Sequence, residues 1–225
     1  IVEKYSDRFV RGLQNDLGRD SVIACLKHWV GDGATMHGVD QGDARISEEE
    51  LRNIHIRPYL PALKEGALTV MASFNSWNGK KCHGSKYLLT EVLKKELGFK
   101  GFIISDWDGI DYLSEDYYLA TEKSVNAGID LFMVSEKWKT FIHNVRDLVE
   151  KEKISMERID DAVRRILYVK EKYGLFDKPS PAKRYWSNHK SFGSGKHREV
   201  AREAVRKSMV LLKNEANILP LDTKS

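Results

Sequence analysis

Four short runs, Val22 to Trp29, Leu68 to Phe74, Phe102 to Asp106 and Ile129 to Val134, are almost continuously apolar and rich in β-branched residues. Runs of that length and character read as strands covered on both faces. Between them the apolar spacing changes to the helical period. Ser47 and Glu50 form a capping box that opens a helix ending near Gly66 and kinked at Pro58. Ser85 caps a second helix, with Leu88, Leu89, Val92, Leu93 and Leu97 on its apolar side and Gly98 past its end. A third runs from about Glu115 to Asn126. Trp138 to Lys151 and Met156 to Tyr173 are helical patterns too; Ile159, Val163, Ile166 and Leu167 recur at i, i+4, i+7 and i+8.

Strands alternating with helices predict an α/β fold with a parallel sheet and helical crossovers. Four such units fit either an open doubly wound sheet or half of a (β/α)8 barrel. A nucleotide-binding sheet should show a glycine-rich phosphate turn after a strand. Gly31-Asp32-Gly33 is only a G-x-G, and no helix opens directly after it. Four units do not close a barrel, so that reading expects partner units elsewhere, upstream of Ile1.

Composition narrows the function classes. With 225 residues, 41% of them hydrophobic, the chain buries a real core, which excludes disorder as the main state. No run of 18 apolar residues exists, so no transmembrane helix is expected. Cys25 and Cys82 allow one bridge at most, and Cys25, inside a predicted strand, reads as a buried free thiol. The net charge of +4 is local. Lys178 to Lys213 carries 10 Lys/Arg against Glu199 and Glu203, while the remainder holds 27 basic and 31 acidic residues. That basic stretch contains Pro179, Pro181, Gly193 and Gly195, and reads as a linker and a solvated helix instead of a nucleic-acid surface. The chain opens at Ile1 with no charged-then-apolar leader, which leaves export unaddressed.

In parallel α/β folds functional groups gather at the C-terminal ends of strands. Those ends here read Lys27-His28-Trp29, Ser73-Phe74-Asn75, Ser105-Asp106-Trp107 and Met133-Val134-Ser135. Taken singly, Lys27 and His28 fit a strand end meeting solvent, Asp106 fits a helix cap, and a tryptophan there fits packing. Together they set a lysine, a histidine, an asparagine and a carboxylate beside two indoles on one rim. Flat aromatic faces suit the C–H faces of a sugar ring, and the polar groups suit its hydroxyls. Glycoside hydrolysis needs two carboxyl groups. Asp106 is the first; Asp32, Asp40, Asp43 and Asp108 are the candidates for a second, none well placed. Met71 reads as core or pocket floor, and Asn75 as a hydroxyl ligand or a turn residue before Asn78-Gly79. His37, Asp40 and Asp43 match no zinc or calcium loop, so neither metal nor cofactor is expected. His55, His83, His143, His189 and His197 are assigned to surface or core by default.

Three segments carry a resemblance. Lys27-His28-Trp29-Val30-Gly31-Asp32-Gly33, the run from Val70 to Gly79, and above all Gly98-Phe99-Lys100-Gly101-Phe102-Ile103-Ile104-Ser105-Asp106-Trp107 resemble family 3 glycoside hydrolases, in particular the β-glucosidases and β-glucan exohydrolases. Ser208 to Asn214, followed by Leu219-Pro220-Leu221, is similar to that family's passage into its second domain. The likeness spans about Ser21 to Leu221. It implies a TIM-like barrel whose C-terminal half is residues 1–177, an interdomain linker with a basic helix at 178–208, and the start of a second α/β domain at 209–225.

The resemblance also implies roles. Asp106 matches the nucleophile of a retaining mechanism, Lys27 and His28 the pair that holds the nonreducing-end glucose in subsite −1, and Trp107 the aromatic platform of subsite +1. Met71 and Asn75 are further substrate-binding candidates. Phe74 stands where the family often has a tyrosine. The loop from Gly31 to Asp40 lacks the Asp-Ser-His element that carries the acid/base in the N-acetylglucosaminidase branch, so the acid is expected as a Glu on the second domain, outside this chain. The implied partner is a β-glucoside or β-glucan oligosaccharide, with no nucleic acid or membrane, and the implied location is secreted, extracellular or periplasmic. Two alternatives stand beside this reading: a barrel piece that at most binds glucan, and a Schiff-base aldolase built on Lys27.

Overall fold

A computed structural model describes residues 1–222, and these contain six strands: β1 (Cys25–Trp29), β2 (Asp43–Ala44), β3 (Thr69–Ala72), β4 (Ser76–Trp77), β5 (Lys80–Lys81) and β6 (Phe102–Ile104). β1, β3 and β6 lie side by side, all parallel and in chain order, with Cys25 opposite Thr69 and Thr69 opposite Phe102. The fourth apolar run joins through one parallel bridge, Leu131 to Ile104. The strands are shorter than the apolar runs. β6 stops at Ile104 because Ser105 turns to the fourth run, its N–H donating to Leu131 O and its Oγ accepting from Met133 N.

The two faces of this sheet differ, which corrects the expectation of strands covered on both sides. Val70, Ala72 and Ile103 are fully buried against Leu88, Leu89, Val92 and Leu93 of the following helix. On the alternate positions Cys25 and Lys27 are exposed, and Met71, Phe102 and Ile104 are half-buried. Side chains alternate faces along a strand, and within this unit only one face has a helical layer to cover it. Cys25 is therefore an accessible free thiol instead of a buried one, while the buried cysteine is Cys82, also free.

The helices follow their sequence signals. Ser47 Oγ accepts from Glu50 N, opening a helix that runs as α over Glu48–Glu50 and then widens to i→i+5 bonding over Leu51–Ile56. Pro58 has no N–H to give, and the helix resumes as Tyr59–Lys64. Tyr87–Glu96 is also wound with i→i+5 bonds, while Tyr117–Ala127, Trp138–Glu150 and Met156–Lys172 are α-helical. One further helix, Val2–Gln14, was not among the expectations, although Val2, Tyr5, Phe9, Val10 and Leu13 carry the helical period. Its Val10 and Gln14 turn inward, and Gln14 bonds Gly66 O and Ala24 N.

The chain divides into two compact units, Ile1–Asp177 and Lys178–Ser225. The second has a short 3₁₀ turn at Pro181–Lys183 and the expected basic helix, Gly195–Ser208, capped by Ser194 Oγ on His197 N. Of the segment read as the start of another domain, residues 223–225 lie outside the described residues.

At the end of the sheet opposite the Asp106 rim a buried ion network locks helices to strands. Asp130 accepts from Ile103 N at 2.8 Å, from Lys94 Nζ at 2.7 Å and from the Arg158 guanidinium, and Asp161 joins Lys94 to Arg165. Arg165 also donates to Phe99 O and Gly101 O. The side chain of Asp130 is wholly buried between two cations. Removing it leaves Lys94 and Arg158 with Asp161 alone and takes the buried acceptor from Ile103 N, which costs about 3–5 kcal/mol. Asp130→Ala should therefore lower the urea unfolding free energy by that amount, and a loss below about 1 kcal/mol would show the network to be solvated.

Candidate active site

The parallel ladder brings the strand ends to one rim, and backbone bonds fasten them there. Ser73 N donates to Trp29 O at 2.6 Å and Ser105 N to Leu131 O at 2.9 Å. The ladder shifts register between Leu26 and Trp29, an irregularity that re-aims the side chains of Lys27 and His28. His28 then faces Asp106, with Nε2 3.5 Å from Oδ2, while its Nδ1 lies 3.2 Å from Asp32 Oδ2. Tyr59 holds the same residue from its backbone, donating its hydroxyl to His28 O at 2.7 Å. On Asp106 the other oxygen, Oδ1, accepts from Trp107 N at 2.7 Å. Trp107 stands out at 60% exposed, its indole free to receive a flat partner.

A small second sheet forms the wall beside this rim. β4 and β5 make a hairpin whose turn, Asn78-Gly79, needs left-handed backbone at both positions and has φ of 48° and 80°. β2 adds in parallel to β4. Asp43 accepts from Gly79 N, and Lys81 Nζ donates to Gln41 O and Phe74 O, so the loop after β1 is pinned to the loop after β3. Asp108 ties the loop after β6 to the fourth strand run by accepting from Ser135 N and Oγ. Both aspartates are thus spent on loop structure.

The expected site residues sort into two groups. His28, Asp106 and Trp107 share the rim, Lys27 is exposed one position before His28 at the end of β1, and Met71 lies on the open sheet face two strand positions before Ser73. Asn75 does not join them. It is fully buried, with its amide donating to Ser76 O at 2.8 Å and Val30 O at 3.4 Å, which makes it a loop-holding residue and offers no atom to a sugar. Trp29 is likewise core, its indole N–H bonded to Leu88 O. Lys27 lacks the apolar enclosure that turns a lysine into a Schiff-base nucleophile. A cavity of about 550 Å³ runs along the outer edge of β1, lined by Lys27, His28, Asp32 and Tyr59 and not by Asp106.

Sequence reasoning passed over His83. It lies just beyond β5, fully buried, and its Nε2 accepts the backbone N–H of Asp106 at 2.9 Å. No local pattern marks it; only the fold brings it under a residue 23 positions later. Its Nδ1 faces the Ser73 backbone without a hydrogen bond of ordinary geometry. The titratable groups around it are Asp106, Lys81 and His28, and burial pushes the imidazole down from 6.5 to about 4 against the opposing pull of the Asp106 carboxylate.

Residues 1–169 match the family model described as the glycosyl hydrolase family 3 N terminal domain, and the chain belongs to that family. Among curated relatives it is 35% identical over 99% of its length to a beta-xylosidase of Formosa agariphila, and 34% identical over 90% to the periplasmic beta-glucosidase of Salmonella typhimurium. Among solved structures it matches an exo-1,3/1,4-beta-glucanase from a Pseudoalteromonas species with a TM-score of 0.88 and 45% identity over 98% of the chain. It also matches a beta-glucosidase of Listeria innocua with a TM-score of 0.82 and 31% identity over 96%. The chain spans about a third of the length of these proteins, 28–32% in three cases and 27% in the Salmonella one.

The buried neutral His83 makes stability depend on pH. Unfolded, the imidazole takes a proton below 6.5; folded, it resists until about 4. Its contribution is complete above pH 6.5 and is lost as pH falls through that window, by up to about 3 kcal/mol. Urea unfolding at pH 7 and pH 4.5 should show a larger acid loss in the native chain than in His83→Gln, and equal losses would contradict the buried-neutral assignment.

Proposed function

We propose that the protein carrying this chain is a retaining, exo-acting β-glucosidase or β-glucan exohydrolase, and that Asp106 is its nucleophile. The observation that carries the reading is the Asp106 carboxylate, with one oxygen bonded to the Trp107 amide and the other turned to His28 on an open rim. An Asp106 oxygen attacks the anomeric carbon as the bond to the leaving oxygen breaks, giving a glycosyl-aspartate ester. Water then attacks the same carbon, giving its proton to the carboxylate that protonated the leaving oxygen, which restores the Asp106 carboxylate and releases glucose with its configuration retained. Lys27 and His28 hold hydroxyls of the nonreducing-end sugar, and contacts that tighten as the ring flattens lower the barrier. Trp107 stacks on the next sugar.

The proton for the leaving oxygen comes from a carboxylic acid outside this chain. Within it, Asp32 is engaged with His28, Asp43 with Gly79 and Arg45, and Asp108 with Ser135, while Asp40 is exposed on the loop after β1. The same reading makes residues 1–177 the C-terminal half of a (β/α)8 barrel, 178–208 an interdomain linker and 209–225 the start of a second domain. Two features support the barrel half. Among the described residues the outer edge of β1 is unpaired in its sheet, and Val2, Tyr5, Phe9 and Leu13 form an exposed apolar stripe on the neighbouring helix. Both are surfaces that a further strand–helix unit would cover.

The full-length protein should hydrolyse an aryl β-glucoside faster than the matching β-xyloside, with β-glucose as the first product by proton NMR. Asp106→Ala should lower kcat by at least about 10³-fold. First-formed α-glucose would overturn the retaining mechanism, and preference for the xyloside would move the assignment to the substrate of the Formosa relative.

A further inference from the structure

We propose that His83 is a positioning residue: a neutral hydrogen-bond acceptor built under the rim to hold the Asp106 main chain, and through it the aim of the carboxylate. The inference rests on the reading of Asp106 as the nucleophile. At Asp106 the chain has left the sheet, since β6 ends at Ile104 and Ser105 has already taken Leu131 O. The next N–H, that of Asp106, has no strand carbonyl to meet, and an unpartnered amide here is costly. His83 Nε2 supplies the acceptor at 2.9 Å.

The imidazole itself is clamped. The Phe74 ring meets it edge-on at 5.7 Å, and a Cβ on Gly109 would stand 2.5 Å from Nε2, so the chain can pass over the ring only as glycine. Asp106 is thus held at its amide by His83 and at Oδ1 by the Trp107 amide, leaving Oδ2 toward His28 and the mouth. An apolar residue of similar volume would fill the same space without the acceptor. A histidine accepts at Nε2 only when neutral with its proton on Nδ1, and burial keeps the ring neutral above about pH 4. An attacking oxygen misplaced by about 1 Å costs on the order of 10² in rate, so holding it repays burying a polar ring.

The test compares His83→Leu with His83→Gln in the full-length protein, because the Gln Oε1 reaches the place of Nε2. Turnover of an aryl β-glucoside should fall about 10²-fold in kcat for His83→Leu, with KM changed less than about threefold, and His83→Gln should recover to within about tenfold of the native kcat. A purely structural role predicts that both variants lose stability alike while folded enzyme keeps its kcat; that result overturns the positioning role and leaves the nucleophile reading standing. Absence of any turnover by the native protein removes the nucleophile reading, and the positioning role with it. Should His83→Leu not fold, ¹⁵N NMR of the native imidazole decides: an Nδ1–H tautomer with unprotonated Nε2 is expected, and an Nε2–H tautomer overturns the proposal.

Discussion

Cys25 pairs with Thr69, Thr69 with Phe102, and Ile104 with Leu131, so four consecutive apolar runs stand parallel and in chain order with their C-terminal ends level. Everything at the rim follows from that register. A slip of one residue in β6 would turn Ile103 out of the helix-covered face and carry Asp106 away from His28. The register is held from both ends. At one end Asp130 joins the Ile103 amide to Lys94 and Arg158; at the other, Ser73 and Ser105 donate across to Trp29 and Leu131.

The rim groups hold one another through specific contacts. His28 meets Asp32 on Nδ1 and Asp106 on Nε2, while Tyr59 holds its carbonyl. Asp106 gives Oδ1 to Trp107 and receives support at its amide from His83. Trp107 keeps its indole in solvent because its backbone, not its ring, does the holding. Such sharing pre-organises the site without filling it, which is what electrostatic and positional catalysis requires.

Much of this was legible in the residues. The four apolar runs, the caps at Ser47 and Ser85, and the long helix from Met156 were marked by local period and capping chemistry, which tertiary packing did not override. Asp106, His28 and Lys27 were legible as strand-end residues. What was not legible depended on long-range contact. His83 and Tyr59 carry no local mark, because their value comes from partners 23 and 31 positions away. Cys25 was misjudged for the opposite reason, and of the two readings of Asn75 the structure keeps the turn role. A strand run does not say which face receives the helices, so Cys25 proved exposed, and a polar residue after a strand end proved to be buried loop structure.

Covalent bonding of Asp106 to the sugar is the claim on which the rest depends. An activated 2-fluoro β-glucoside applied to the full-length protein slows release of the glycosyl-enzyme, and peptide mapping by mass spectrometry then locates the label. The predicted result is one 2-fluoroglucosyl group per chain, on the peptide containing Ser105-Asp106-Trp107 and assigned by fragmentation to Asp106. A label on any other residue, or inactivation without a covalent adduct, would contradict it.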